Sequence, residues 1–207
     1  IDTHCHLDFP DYAADLEGVL ARAREAGIAE MITIGTCAAS SRHCAALSEK
    51  HPGISAAAGI HPNHAHEATD ADFAAIAELS MRPEVVAIGE TGLDLYRDTA
   101  PLEIQKKAFL RQLEIASACG KPVVLHARQS GAMVMDIIED FSGSKPLRGV
   151  FHCFTDTKEV LKRALDAGFK IGVSGIVTFP KGDNVRELVA MTPDDFLLLD
   201  SDSPFLA

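Results

Sequence analysis

The chain has 207 residues, a formal net charge of −11 and a charged share of 24%. That length suits a single domain, residues 1–207, with a sizeable core, and would cramp two. The acidic balance disfavours charge-driven, nonspecific binding to nucleic acid, which wants basic surface, yet bound metal ions could still bring an anionic substrate in.

Short apolar runs of β character alternate with stretches of helical period along the whole chain. The first run, Ile1 to His4, leads on to His6. Strand side chains alternate, so His4 and His6 share a face, and Cys5 between them is expected in packing rather than as a nucleophile. A helix is predicted over Ala13 to Ala26, then a strand over Glu30 to Gly35 and a helix over Ala39 to Lys50. His43 and His51, in or after that helix, lie on the wrong side for chemistry. The third strand, Ile54 to Ile60, runs into Gly-Ile-His-Pro-Asn. His61 there either hydrogen-bonds a phosphate oxygen or leaving group, or is a turn residue before Pro62; His64 and His66 are expected as solvated loop residues.

A helix over Asp70 to Ser80 precedes the fourth strand, Val85 to Glu90. In the next helix, Pro101 to Ala118, Leu102, Gln105, Ala108, Phe109, Gln112, Leu113 and Ala116 fall at helical spacing, and Gly120-Lys121-Pro122 stops it. The fifth strand, Pro122 to His126, is followed by Arg128, either a phosphate clamp or a surface arginine at a helix start. The remaining helices are Gly131 to Phe141, Thr157 to Ala167 and Asn184 to Met191; the remaining strands are Gly149 to His152, Phe169 to Val173 and Phe196 to Leu199.

Runs apolar on both faces, alternating with helices, mean a parallel sheet covered on each side. Eight of them predict an α/β fold, a TIM (β/α)8-type barrel. The structural rival is an open doubly wound sheet, whose Gly-x-Gly-x-x-Gly signature follows none of the strands. A full barrel of this type takes about 250 residues, with a helix after each strand. No helical stretch follows the eighth run, so the final C-terminal helix is expected to be absent from this chain, baring apolar surface outside strands eight and one.

Catalytic groups of such barrels sit at the C-terminal strand ends. His4, His6, Glu90, His126, His152 and Asp202 all fall there. Any one histidine is more often a structural residue; six ligand-type side chains on one rim point to metal. Imidazole with carboxylate suits Zn2+ or Mn2+, whereas Mg2+ prefers mostly oxygen. Two divalent ions would outweigh two carboxylates, leaving charge for a hydroxide and an anionic substrate, while one ion would leave ligands surplus. Ions ~3.5–4 Å apart could share Glu90 and activate a bridging water. Asp202 would bind one ion and accept a proton from that water, or else cap a helix; Asp200 is the weaker rival for the duty. No serine-hydrolase elbow and no phosphate-binding loop ending in Lys-Ser/Thr is present.

His-Cys-His-Leu-Asp (4 to 8), Gly-Ile-His-Pro (59 to 62), Gly-Glu-Thr-Gly-Leu-Asp (89 to 94), Leu-His-Ala-Arg (125 to 128), His-Cys-Phe (152 to 154), Ser-Gly-Ile-Val-Thr-Phe (174 to 179) and Asp-Ser-Pro-Phe-Leu-Ala (202 to 207) resemble the TatD-type deoxyribonucleases of the amidohydrolase superfamily. The resemblance runs the whole chain in order, with Glu90 where the superfamily often has a carboxylated lysine. It implies a metal-dependent phosphodiesterase acting on DNA, commonly a 3′ to 5′ exonuclease. His4, His6 and Asp202 would hold one divalent ion (Mg2+, Mn2+ or Zn2+), His126 and His152 the other, with Glu90 between them and His61 on the substrate phosphate. Two departures stand out: Asp200-Ser201-Asp202 replaces the usual Glu-Thr-Asp, and the tail that supplies the final helix is missing.

An amidohydrolase cleaving C–N or ester bonds of a small molecule is the competing reading, favoured by the acidity and by the lack of an aromatic and basic groove. A barrel that keeps its ligands but only binds a partner is the third. Five cysteines without a C-x-x-C pair predict reduced thiols in a cytoplasm. No run approaches the ~20 apolar residues of a membrane span, no secretory signal is visible, and a monomer is expected.

Overall fold

The computed structural model describes residues 1–142 and 146–206. Strands β1 (Asp2–Cys5), β2 (Met31–Ile34), β3 (Ile54–Ala58), β4 (Val85–Asp94), β5 (Val123–Arg128), β6 (Gly149–Phe151), β7 (Lys170–Val173) and β8 (Leu197–Leu199) form one sheet in sequence order. Every neighbouring pair is parallel. Parallel neighbours need crossovers, and α1 (Leu16–Glu25), α2 (Ala38–Lys50), α3 (Asp70–Leu79), α4 (Leu102–Cys119), α5 (Gly131–Ser142), α6 (Lys158–Asp166) and α7 (Asp183–Met191) supply them in turn.

The chain just past β8 closes the sheet on β1. Cys5 pairs with Ser203 in a parallel bridge, the Asp202 amide donates to the His4 carbonyl at 2.9 Å, and the His6 amide donates to the Ser203 carbonyl at 2.9 Å. Lower down, the Asp2 carboxylate accepts from the Ser201 amide at 3.0 Å and its hydroxyl at 2.6 Å. These bonds decide for the barrel over the open sheet, whose first and last strands would be free edges. Among the described residues no helix follows β8, and Leu199 on that strand stands 67% exposed.

Two apolar layers hold the barrel. Outside it, Phe109, Leu113 and Ala116 of α4 pack with Ile88, Val123, Leu125 and Phe151. Burying each large side chain of this kind contributes about 1.5–3 kcal/mol. Inside it, Ile34, Ala57, Ala87 and Val124, with Ile32 and Val150 against them, plug the lower half. Strand alternation then sets His126 above Val124 and His152 above Val150, on the inner face at the C-terminal end. The element boundaries differ from expectation at two places that matter. A 3-10 turn occupies Pro10–Tyr12, so α1 starts at Leu16, and β4 runs on to Asp94 instead of stopping at Glu90.

Candidate metal centre

His4 and His6 are both buried at the closed end of β1, while Cys5 between them points into the outer layer with Leu20, Met31 and Leu47. Nδ1 of His6 lies 3.1 Å from the Ile34 carbonyl, which can only accept, so Nδ1 carries the proton. The Nε2 of a neutral His6 is then a bare lone pair. It faces Asp202 Oδ1 at 3.5 Å, Glu90 Oε2 at 3.9 Å and His4 Nε2 at 3.3 Å. The His6 lone pair and two carboxylate oxygens facing one another in a buried space call for positive charge between them. Without a metal a proton supplies it: burial works against the charged ring, but the hydrogen bond to Asp202 and the charge of Glu90 hold the His6 pKa above its ordinary value. A divalent cation would fill the same place.

Glu90 reaches the centre through an irregularity. Ile88 pairs with Val123, yet Thr91 pairs with Leu125, so β4 holds one extra residue between them. Ile88 packs outward against α4, and regular alternation would send Glu90 outward as well. The bulge turns it in. Its Oε1 lies 2.8 Å from His126 Nδ1, 2.8 Å from His152 Nε2 and 3.7 Å from His61 Nε2. Its Oε2 lies 3.6 Å from His4 Nε2 and 3.9 Å from His6 Nε2. One carboxylate thus faces two groups of imidazoles, one with each oxygen. Burial opposes its charge, but the surrounding rings keep its pKa well below the usual range.

Asp94, part of the Gly-Glu-Thr-Gly-Leu-Asp run, is a site residue that strand-end reasoning passes over. Its Oδ2 meets His126 Nε2 at 3.1 Å, and its Oδ1 accepts from the amides of Tyr96 at 2.9 Å and Arg97 at 2.8 Å. Against the cost of burial, those bonds hold its pKa well below the ordinary value. His126, clasped between Asp94 and Glu90, is pushed up to about 9 although burial alone would lower it. The signal for Asp94 was available: it stands four residues past Glu90, on the same strand face once β4 is extended. Gly92 lets the strand pass there, with φ of 136° and no room for a side chain, since a Cβ would lie 2.1 Å from the His126 carbonyl oxygen.

His61 also joins the cluster. The Asn63 amide donates to its Nδ1 at 3.0 Å, and burial lowers its pKa to about 3, so the neutral ring carries its proton on Nε2. That N–H points inward, 3.2 Å from His126 Nδ1. Three sets of side chains offer ligand atoms within 4.8 Å of one another: His4, His6 and Glu90; His4, His152 and Asp202; and His61, Glu90 and His126. In the last set the protonated Nε2 makes His61 a donor rather than a ligand. His152, as near to Glu90 as His126 is, offers the second imidazole in its place.

Asp202 takes a left-handed φ of 50°, which an aspartate tolerates, and so faces His4 and His6 at 3.7 and 3.5 Å. Burial raises its pKa and the His6 bond lowers it, with the net effect downward. Asp200 is buried one step deeper. Its Oδ2 accepts from the Cys153 amide at 3.1 Å, in space that Gly172 leaves open, and burial pushes its pKa up to about 6. Arg128 does not join the cluster: it is exposed, with its guanidinium 4.2 Å above the Tyr96 ring. His64 and His66 lie in the exposed loop beside Glu67, and His43 is exposed on α2. A groove of about 490 Å³ between α3 and α4, lined by Phe73, Met81 and Arg111 among others, lies outside the barrel and shares no residue with the centre.

The donor set fits divalent metal: ionised carboxylates, buried imidazoles gathered round them, and Nδ1 of His6 anchored on a carbonyl as a ligand imidazole requires. Among the described residues the buried Nδ1 atoms of His4 and His152 have no partner, and the two rings stack at 3.8 Å. Such an unpaired group costs about 1–3 kcal/mol, an expense more usual at a functional centre than in a core.

The model of the TatD related DNase family matches residues 1–207. A Musicola paradisiaca protein named 3′-5′ ssDNA/RNA exonuclease TatD is 39% identical over 207 residues, covering 99% of this chain and 78% of its own. The Bacillus subtilis metal-dependent hydrolase YabD is 36% identical over 205 residues, covering 99% of this chain and 80% of its own. The crystal structure of the Escherichia coli TatD homologue YjjV superposes with a TM-score of 0.93 at 33% identity, over 99% of this chain and 79% of that one.

Proposed function

The chain belongs to the TatD-related DNase family, whose members here are metal-dependent hydrolases, and from that premise we propose that it is a 3′ to 5′ exonuclease cleaving phosphodiester bonds of single-stranded nucleic acid. The observation that carries this is Glu90, whose two carboxylate oxygens face separate groups of imidazoles and suit it to bridge a pair of cations. His4, His6 and Asp202 would hold one ion, His126 and His152 the other. Two such ions supply positive charge to phosphoryl oxygens and make a nearby water acidic.

The chain's own residues do the rest. Asp202, ionised and at the edge of the cluster, accepts the proton of the attacking water. His61 gives its Nε2–H to a phosphate oxygen, a role its fixed tautomer supports. Asp94 keeps the His126 ring oriented. Among the described residues no helix is long and apolar enough to cross a membrane. We take residues 1–207 to be one domain of a cytoplasmic monomer; the five free cysteines favour the reducing compartment and do not bear on the rest.

The test is incubation with Mn2+ or Mg2+ and 5′-labelled single-stranded DNA, beside a panel of amides and carboxylic esters. Metal-dependent loss of 3′ nucleotides, reduced by at least about 100-fold in Asp202→Asn, is the expected result. Turnover of an amide with the DNA left intact would replace the nuclease with an amidohydrolase.

A further inference from the structure

We infer that Tyr96, with Arg128 across one of its faces, forms a nucleobase-stacking subsite on the His126 side of the barrel mouth. The inference rests on the nuclease reading and adds to it what grips the base. Tyr96 is 58% exposed, unusual for a large aromatic ring, and Arg128 lies 4.2 Å above its centroid. With one face under the guanidinium, more than half of the residue's surface still lies in solvent, room enough for a second planar group. Among the described residues no carboxylate pairs with Arg128, although the chain carries a net charge of −11. A planar cation and a planar ring stacked on each other at a site rim suit a nucleotide, whose base can stack and whose phosphate can take the charge.

The pair is tied to the centre rather than loose on the surface. Asp94 pairs with Arg128 in the β4–β5 ladder, and the Leu95 amide donates to the Arg128 carbonyl at 3.0 Å. The Tyr96 amide donates at 2.9 Å to the same Asp94 carboxylate that meets His126 at 3.1 Å. A base on Tyr96 would therefore sit at a set offset from the ligand imidazole, which is what selects a terminal nucleotide over a bare phosphate ester.

The chain carries no tryptophan and two tyrosines, Tyr12 and Tyr96, so in Tyr12→Phe the intrinsic fluorescence reports on Tyr96 alone. The Mn2+-loaded Tyr12→Phe protein is titrated with a short phosphorothioate-linked thymidine oligonucleotide, which resists cleavage, and with its abasic counterpart. Quenching by the first and not the second is expected. In the wild-type background, Tyr96→Ala should raise KM for single-stranded DNA about ten-fold with kcat kept, while Tyr96→Phe, which retains the ring, stays near wild type. Equal quenching by the abasic strand, or unchanged KM in Tyr96→Ala, overturns the subsite. Failure of the wild-type protein itself to bind or shorten DNA overturns the nuclease reading first, before any variant is compared.

Discussion

Asp94 spends one carboxylate oxygen on two backbone amides and turns the other to His126, so it fixes a ring without needing to touch substrate. Asp94→Asn keeps the volume and removes the charge behind that ring. It should lower Mn2+ affinity about 10- to 100-fold, read by isothermal titration, with the circular dichroism spectrum unchanged. Wild-type affinity in this variant would leave Asp94 a merely structural residue. His4, His6, His126, His152 and Asp202 were legible in the sequence because each stands at or just past the end of an apolar run, where a barrel keeps its chemistry. Asp94 was passed over because its strand was expected to end at Glu90, although its even spacing from Glu90 could have marked it. Arg128 was legible as a cation near the mouth, but its stacking on Tyr96 depends on a loop that no periodicity describes.

At the scale of elements, alternation of apolar runs with helical stretches was enough to count eight strands and seven helices. It could not tell which way Glu90 points. That depends on the register slip between Ile88 and Thr91, a property of how β4 meets β5 and not of β4 alone. The extension past the slip depends in turn on Gly92. Gly92→Ala would force a side chain into a left-handed φ and against the His126 carbonyl, at a backbone cost of about 1–3 kcal/mol before any displacement of the ring. Urea denaturation should show a loss of at least that size, accompanied by weakened Mn2+ binding. An alanine accepted there without loss would mean that β4 can reach Asp94 by another path.

Across the whole molecule, the proposed ligands come from β1, β4, β5, β6 and the segment after β8, so a bound cation would tie together parts of the barrel wall that are far apart in the chain. A cation that binds only the folded chain, at about 100 times its dissociation constant, adds about 2.7 kcal/mol. In a chain of this length that should raise Tm by roughly 5–10 °C over the chelated protein. An unchanged Tm on adding Mn2+ or Zn2+ to protein stripped with EDTA would argue against binding at this centre. The closing seam has a consequence for synthesis. The Asp2–Ser201 bond that anchors it spans 199 positions, so His4 and His6 leave the ribosome long before Asp202 can reach them. Under the nuclease reading, an unfinished copy held beside its messenger RNA lacks the proton acceptor and the seam together. Cleavage is then expected only once the segment after β8 has docked on β1.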